Sequence, residues 1–169
     1  MLIYNYKHIK KSNYYITYMY RLYFNGISKG ISNNNGPSGC GGVIVDKKKL
    51  IHRNNVISSY KKYLGIENTN YAEFMGLFYG LRCAKRLNIK NIEILGDSKF
   101  VISQCCNSQY VNICNQNNTK IKDIYDKIKN IEKEFDTIEY FHIYEENNLK
   151  ANKLATSSLK EYFNTIKII

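Results

Sequence analysis

The chain has 169 residues, enough for one domain with a core of its own and no need of disulfide or metal staples. Lys and Arg number 25 against 14 Asp and Glu, a formal charge of +11 that favours a polyanionic partner such as nucleic acid. The abundance of Lys, Asn, Ile and Tyr would also follow from an A/T-rich coding sequence, so charge alone leaves both accounts standing.

Five cysteines at 40, 83, 105, 106 and 114, odd in number and without a C-x-x-C pair, argue against a disulfide scaffold and against a zinc site. They point to an intracellular, reducing compartment. No apolar run reaches the roughly 18 residues a spanning helix needs, so a soluble protein without a membrane partner is expected.

Met1 to Tyr20 is basic, free of acid and rich in Tyr. Residues 1–17 read as an extension, or as an early strand packing its tyrosines onto the domain that follows over 18–166. Tyr18 to Asn25 alternates apolar and polar positions and ends at Gly26, the pattern of a strand with Asn25 at its tip. Gly26 to Gly42, with six glycines and the only proline, reads as a turn-rich loop. Val43 to Val45 and Leu50 to Ser58 read as two further strands, joined by a turn at Asp46 to Lys48 in an antiparallel meander.

The period then becomes helical. Ala72, Met75, Leu77, Phe78, Leu81, Cys83, Ala84 and Leu87 form an apolar stripe over Asn70 to Leu87, with Arg82, Lys85 and Arg86 at the end that favours cations. Glu73 in the first turn is accounted for equally by the helix dipole. Asn91 to Gly96 is a short Ile- and Leu-rich strand, a helix follows from Ser98, and an Asn-rich connection covers Asn107 to Thr119. A helix over Lys120 to Phe135, a strand over Thr137 to Tyr144 and a closing helix over Asn148 to about Ile166 complete the order. The fold class expected is α/β, with a five-stranded mixed sheet flanked by helices and the first, fourth and fifth strands parallel.

Asp97 leaves the carboxyl end of a central strand, the edge at which open α/β sheets place ligands. As Asp97-Ser98 it could as well cap the next helix. Parallel pairing of the first and fourth strands would bring Asn25 and Asp97 to one edge, and the first turn of the helix after the meander could add Glu73.

The residues at these element ends resemble the ribonuclease H type 1 family, in its compact plant and archaeal form without a basic protrusion. Tyr23-Phe24-Asn25-Gly26-Ile27-Ser28-Lys29-Gly30 stands where the family has Y-x-D-G-x-S-x-G, and Asn68 to Phe74 (NTNYAEF) where it has T-N-N-x-A-E-L. Gly96 to Val101 (GDSKFV) matches G-D-S-x-x-V, and His142 to Ala155 (HIYEENNLKANKLA) matches H-V-x-R-E-x-N-x-x-A-D-x-L-A. All four occur in order at family spacing, from Tyr18 to about Leu159.

The resemblance implies four carboxylates holding two divalent ions, Mg²⁺ or Mn²⁺, which activate a water and stabilise the leaving oxygen as the RNA strand of an RNA-DNA hybrid is hydrolysed. Hard anionic oxygens suit such ions, and several are needed to offset the repulsion between the pair. By position, Glu73 and Asp97 keep the family's acids and would be the metal ligands, whereas Asn25 and Asn152 replace the other two. The quartet's formal charge falls from −4 to −2 against +4 on two ions. Metal affinity and turnover are therefore expected to drop severely, with one ion at most or none. Glu145 stands at the family's Arg position, with a spacing from Asn152 that makes it a poor substitute carboxylate.

Gly26, Ser28, Asn70, Ser98 and Asn148 match family positions near the bound nucleic acid, and Lys99 could add a phosphate contact; loop chemistry explains the same residue types. His142 is expected as a half-buried strand residue without a catalytic part. Three functions stay open. One is a catalytically impaired relative that binds RNA-DNA hybrid or structured RNA, alone or as a subunit of a ribonucleoprotein assembly; the second is a working metal-dependent ribonuclease H; the third is a protein-binding module on the same fold.

Overall fold

A computed structural model describes residues 6–9 (backbone only), 20–30, 35–49, 55–106, 119–160 and 163. In chain order the elements are β1 (Tyr6–Ile9), β2 (Tyr20–Ser28), β3 (Asn35–Asp46), β4 (Val56–Asn68), α1 (Thr69–Arg86), β5 (Asn91–Gly96), α2 (Lys99–Cys106), α3 (Thr119–Glu132), β6 (Thr137–His142) and α4 (Leu149–Ser158). The five expected strands lie in the order β4-β3-β2-β5-β6. β2, β5 and β6 run parallel, and β3 and β4 complete the antiparallel meander. Beyond them β1 adds an antiparallel edge strand to β6, pairing Tyr6 with Tyr140 and Ile9 with Thr137.

Parallel neighbours cannot be joined by a tight turn, so the meander and α1 carry the chain from β2 to β5, and α2 and α3 carry it from β5 to β6. α1 buries Phe74, Met75, Leu77, Leu81 and Ala84, and α3 buries Ile121, Ile124, Tyr125 and Ile128, in one cluster with Leu22, Phe24, Ile44, Ile92 and Ile94 of the sheet. Phe74 is fully buried, its ring edge-on to Phe100 at 6.0 Å and to Tyr125 at 6.4 Å between centroids. Burial of a side chain that size stabilises the fold by about 2–3 kcal/mol. Asn68 caps α1, accepting the Tyr71 N–H at 2.8 Å.

The expected loop over Gly26 to Gly42 is mostly strand: β2 runs on to Ser28 and β3 begins at Asn35. Gly26, Gly39, Gly41 and Gly42 serve close packing rather than turning. A Cβ on Gly26 would overlap the backbone of Ala72 and Glu73, and one on Gly41 would stand 2.5 Å from the Ala155 backbone nitrogen. Because alternate strand residues face opposite ways, Cys40 faces the α1 core while Gly41 lets α4 lie against the other face.

The strand expected to end at Ser58 continues to Asn68, with Tyr60 reaching across the core to donate to the Gly76 carbonyl at 2.6 Å. Gly65 takes φ +85° beside a register shift against Ser38 and Gly39, the kind of kink a glycine admits without strain. α3 ends at Glu132 and β6 at His142, both earlier than expected. Phe135 remains buried beyond the helix end. Residues 50–54, the Asn-rich stretch over 107–118 and the tail from 164 lie outside the described residues.

Candidate active site

The β2/β5 register sets Tyr23 opposite Leu95. Two residues further along both strands, Asn25 and Asp97 lie abreast at the carboxyl edge of the sheet. The Asn25 Nδ2 donates to both carboxylate oxygens of Asp97, at 3.1 and 3.2 Å. Asn25 is 6% exposed, so this contact is made largely out of water.

The close approach at Gly26 lays the start of α1 against β2, which delivers Glu73 to the same edge. Its carboxyl accepts a hydrogen bond from the Gly26 N–H, while Oε2 is buried without a partner. Burial, reinforced by the charge of Asp97, pushes the Glu73 carboxyl well above the usual range; the Gly26 bond opposes this more weakly.

Asn148 precedes α4 and welds it to the sheet. Its Nδ2 donates to the Phe24 carbonyl at 2.8 Å and to Asp97 Oδ1 at 3.0 Å. At 1% exposure, with both amide hydrogens engaged inside the protein, Asn148 has no donor left for a nucleic acid. Its expected role is corrected: it orients Asp97. His142, at the end of β6, has its Nε2 3.1 Å from the Asp97 carbonyl oxygen. A carbonyl only accepts, so Nε2 carries the hydrogen, and the ring fixes the backbone beneath the carboxylate.

Asn152 lies one turn along α4 from Asn148, but its side chain turns elsewhere: Nδ2 donates to Glu145 Oε1 at 3.0 Å, and Oδ1 accepts from Thr156 at 3.3 Å. The structure thus brings Asn25, Glu73 and Asp97 together and gives Asn152 partners outside that group. Ser98 caps α2 through a long bond from the Val101 N–H, 3.4 Å, as the cap reading of Asp97-Ser98 anticipates. Ser28 donates its hydroxyl to the Glu67 carbonyl at 2.7 Å, and Gly26 is buried against α1. Asn70 and Lys99 are the two expected nucleic-acid contacts that stand exposed.

The part played by Asn148 could have been suspected from its spacing to Asn152, four residues on and so on one helix face. The carbonyl contact of His142 had no sequence signal, since it depends on where β6 ends relative to β5.

A pair of divalent ions does not fit this donor set. Two carboxylates and two amides offer −2 against +4, and the Asn25 amide presents hydrogens, not oxygen, towards Asp97. Among the described residues no three His, Cys, Asp or Glu side chains converge as a metal site requires. The orphaned Glu73 oxygen is a single donor, short of what two ions need.

Solved structures share this fold. The N-terminal RNase H domain of Rv2228c from Mycobacterium tuberculosis, solved as a fusion with maltose-binding protein, superposes with a TM-score of 0.73 at 23% identity, over 89% of this chain and 99% of that one. RNase H1 of the halophilic archaeon Halobacterium salinarum gives 0.69 at 24%, over 84% and 98%. LC11-RNase H1, solved in complex with an RNA/DNA hybrid, gives 0.67 at 23%, over 85% and 99%. No curated protein matches the chain by sequence. Its fold is therefore that of these ribonuclease H structures, and because residues 25–158 match the family model described as reverse transcriptase-like, the chain belongs to the reverse transcriptase-like family.

Proposed function

We propose that this protein binds nucleic acid, an RNA-DNA hybrid or structured RNA, and cleaves it feebly or not at all. The observation that carries the reading is the Asn25 amide standing against Asp97, a donor where the family's chemistry needs an acid. With Glu73 and Asp97 alone, one Mg²⁺ or Mn²⁺ at most would be held, and weakly. Two-ion hydrolysis needs an ion on each side of the scissile phosphate.

Binding is supported by the +11 charge, by exposed Asn70 and Lys99 near this edge, and by the hybrid bound to LC11-RNase H1, a protein of the same fold. A place in a ribonucleoprotein assembly is the use of such a domain that this chemistry suits best.

The test is incubation of the full chain with labelled RNA-DNA hybrid and Mn²⁺, beside the double reversion Asn25→Asp with Asn152→Asp. Binding by both forms with cleavage only by the reverted form is the expected result. Equal cleavage by both, abolished by Asp97→Asn, would establish a working nuclease instead. Failure of either form to bind hybrid or RNA would leave a protein-binding module.

A further inference from the structure

Just past the carboxyl end of β5, Asp97 accepts hydrogen bonds from neutral side-chain groups. Asp97 accepts from Asn25 Nδ2 through both oxygens, at 3.1 and 3.2 Å, and from Asn148 Nδ2 through Oδ1 at 3.0 Å. Neither amide can turn round without loss. Reversed, Asn25 would set its own oxygen against the carboxylate, and Asn148 would set its oxygen against the Phe24 carbonyl, to which it now donates at 2.8 Å. The second amide that replaces a family acid, Asn152, is likewise engaged, with Glu145 at 3.0 Å. Through Asp97, the amides of Asn25 and Asn148 form a connected set of hydrogen bonds that ties β2, β5 and the start of α4 together, and Asn152 stands outside it.

We infer that the Asn25 amide, beside the Asn148 amide that the family pattern also has, takes over at Asp97 the stabilising role that cations have in a metal-loaded carboxylate pocket, so that this edge of the sheet holds its shape without a divalent ion. The inference concerns folding rather than ligand binding and does not depend on whether nucleic acid is bound. An Asp at position 25 would occupy the same space and face Asp97 with a second carboxylate. Two like charges at that separation repel strongly when part-buried, and a divalent ion between them relieves it.

Thermal unfolding of the full chain, in EDTA and in millimolar Mn²⁺ or Mg²⁺ at matched ionic strength, tests this. The natural protein is expected to melt within about 1 °C of the same temperature in both conditions. Asn25→Asp is expected to melt at least about 3 °C lower in EDTA and to recover much of that loss with Mn²⁺. If Asn25→Asp does not fold in EDTA, Asn25→Ala makes the comparison. It removes the donor without adding charge, and is expected to be less stable than the natural protein and unmoved by Mn²⁺. A natural protein stabilised by about 3 °C or more on adding the ion would overturn the inference, as would an Asn25 variant as stable in EDTA as the natural chain.

Discussion

An amide has the outline of a carboxylate, so Asn25 fits where an acid would fit, but it offers Asp97 two hydrogens instead of a second charge. Glu73 shows the opposite case, an acid retained in a place that penalises its charge. It is 7% exposed, one oxygen is unpartnered, and Asp97 stands near enough to add repulsion. Because its folded-state pKa lies above its unfolded value, Glu73 contributes stability below about pH 4.5, and that contribution is lost as the pH rises through the folded value. Glu73→Gln removes the ionisation, so its stability is expected to fall less between pH 4.5 and pH 8 than that of the natural chain. Urea unfolding midpoints across that range measure the difference, and parallel pH curves for the two proteins would refute it.

At the scale of elements, α4 is held by contact rather than by an apolar stripe. It buries only Ala151, Ala155 and Ser158, all small, against a strand that has glycine where it crosses. The helix thus comes close enough for its start to present Asn148 to Phe24 and Asp97. Gly41→Ala is expected to cost about 1–3 kcal/mol, because the new methyl meets the Ala155 backbone and a helix must move to admit it. Chemical denaturation gives the value, and a cost below about 0.5 kcal/mol would show that α4 is not held this closely. Gly65 makes a useful contrast: a Cβ there meets nothing, yet φ +85° is strained for any other residue.

For the molecule as a whole, cations exceed acids by 11, so the surplus cannot be neutralised within the chain. Several acids are already paired: Glu93 with Arg21 and Lys47, Glu134 with Lys85, Glu67 with Lys120, and Glu132 with Lys129. Most of these pairs are at least partly open to water and add little to stability. On the proposed reading, the surplus charge would draw polyanions at long range whatever their sequence. Hybrid affinity is therefore expected to fall linearly in log–log terms with salt, by roughly tenfold or more between about 50 and 200 mM. Fluorescence anisotropy in EDTA over that range checks it, and an affinity indifferent to salt would contradict a phosphate-led interface.

The order of strands and helices was written in the sequence, because hydrophobic period and element-end residues are local signals. The four motifs single out Glu73, Asp97 and the two amides as candidates for one site. What they could not give was direction. That Asn25 turns its hydrogens onto Asp97, that Asn148 is spent inside the protein, and that Asn152 faces Glu145 follow from how strands and helix dock, which is a property of the packed whole. The glycines of β3 depart from the turn their sequence suggests for the same reason. In one dimension a glycine looks like a turn, and only the arrival of α4 against Gly41 shows that the missing side chain makes room for a neighbour.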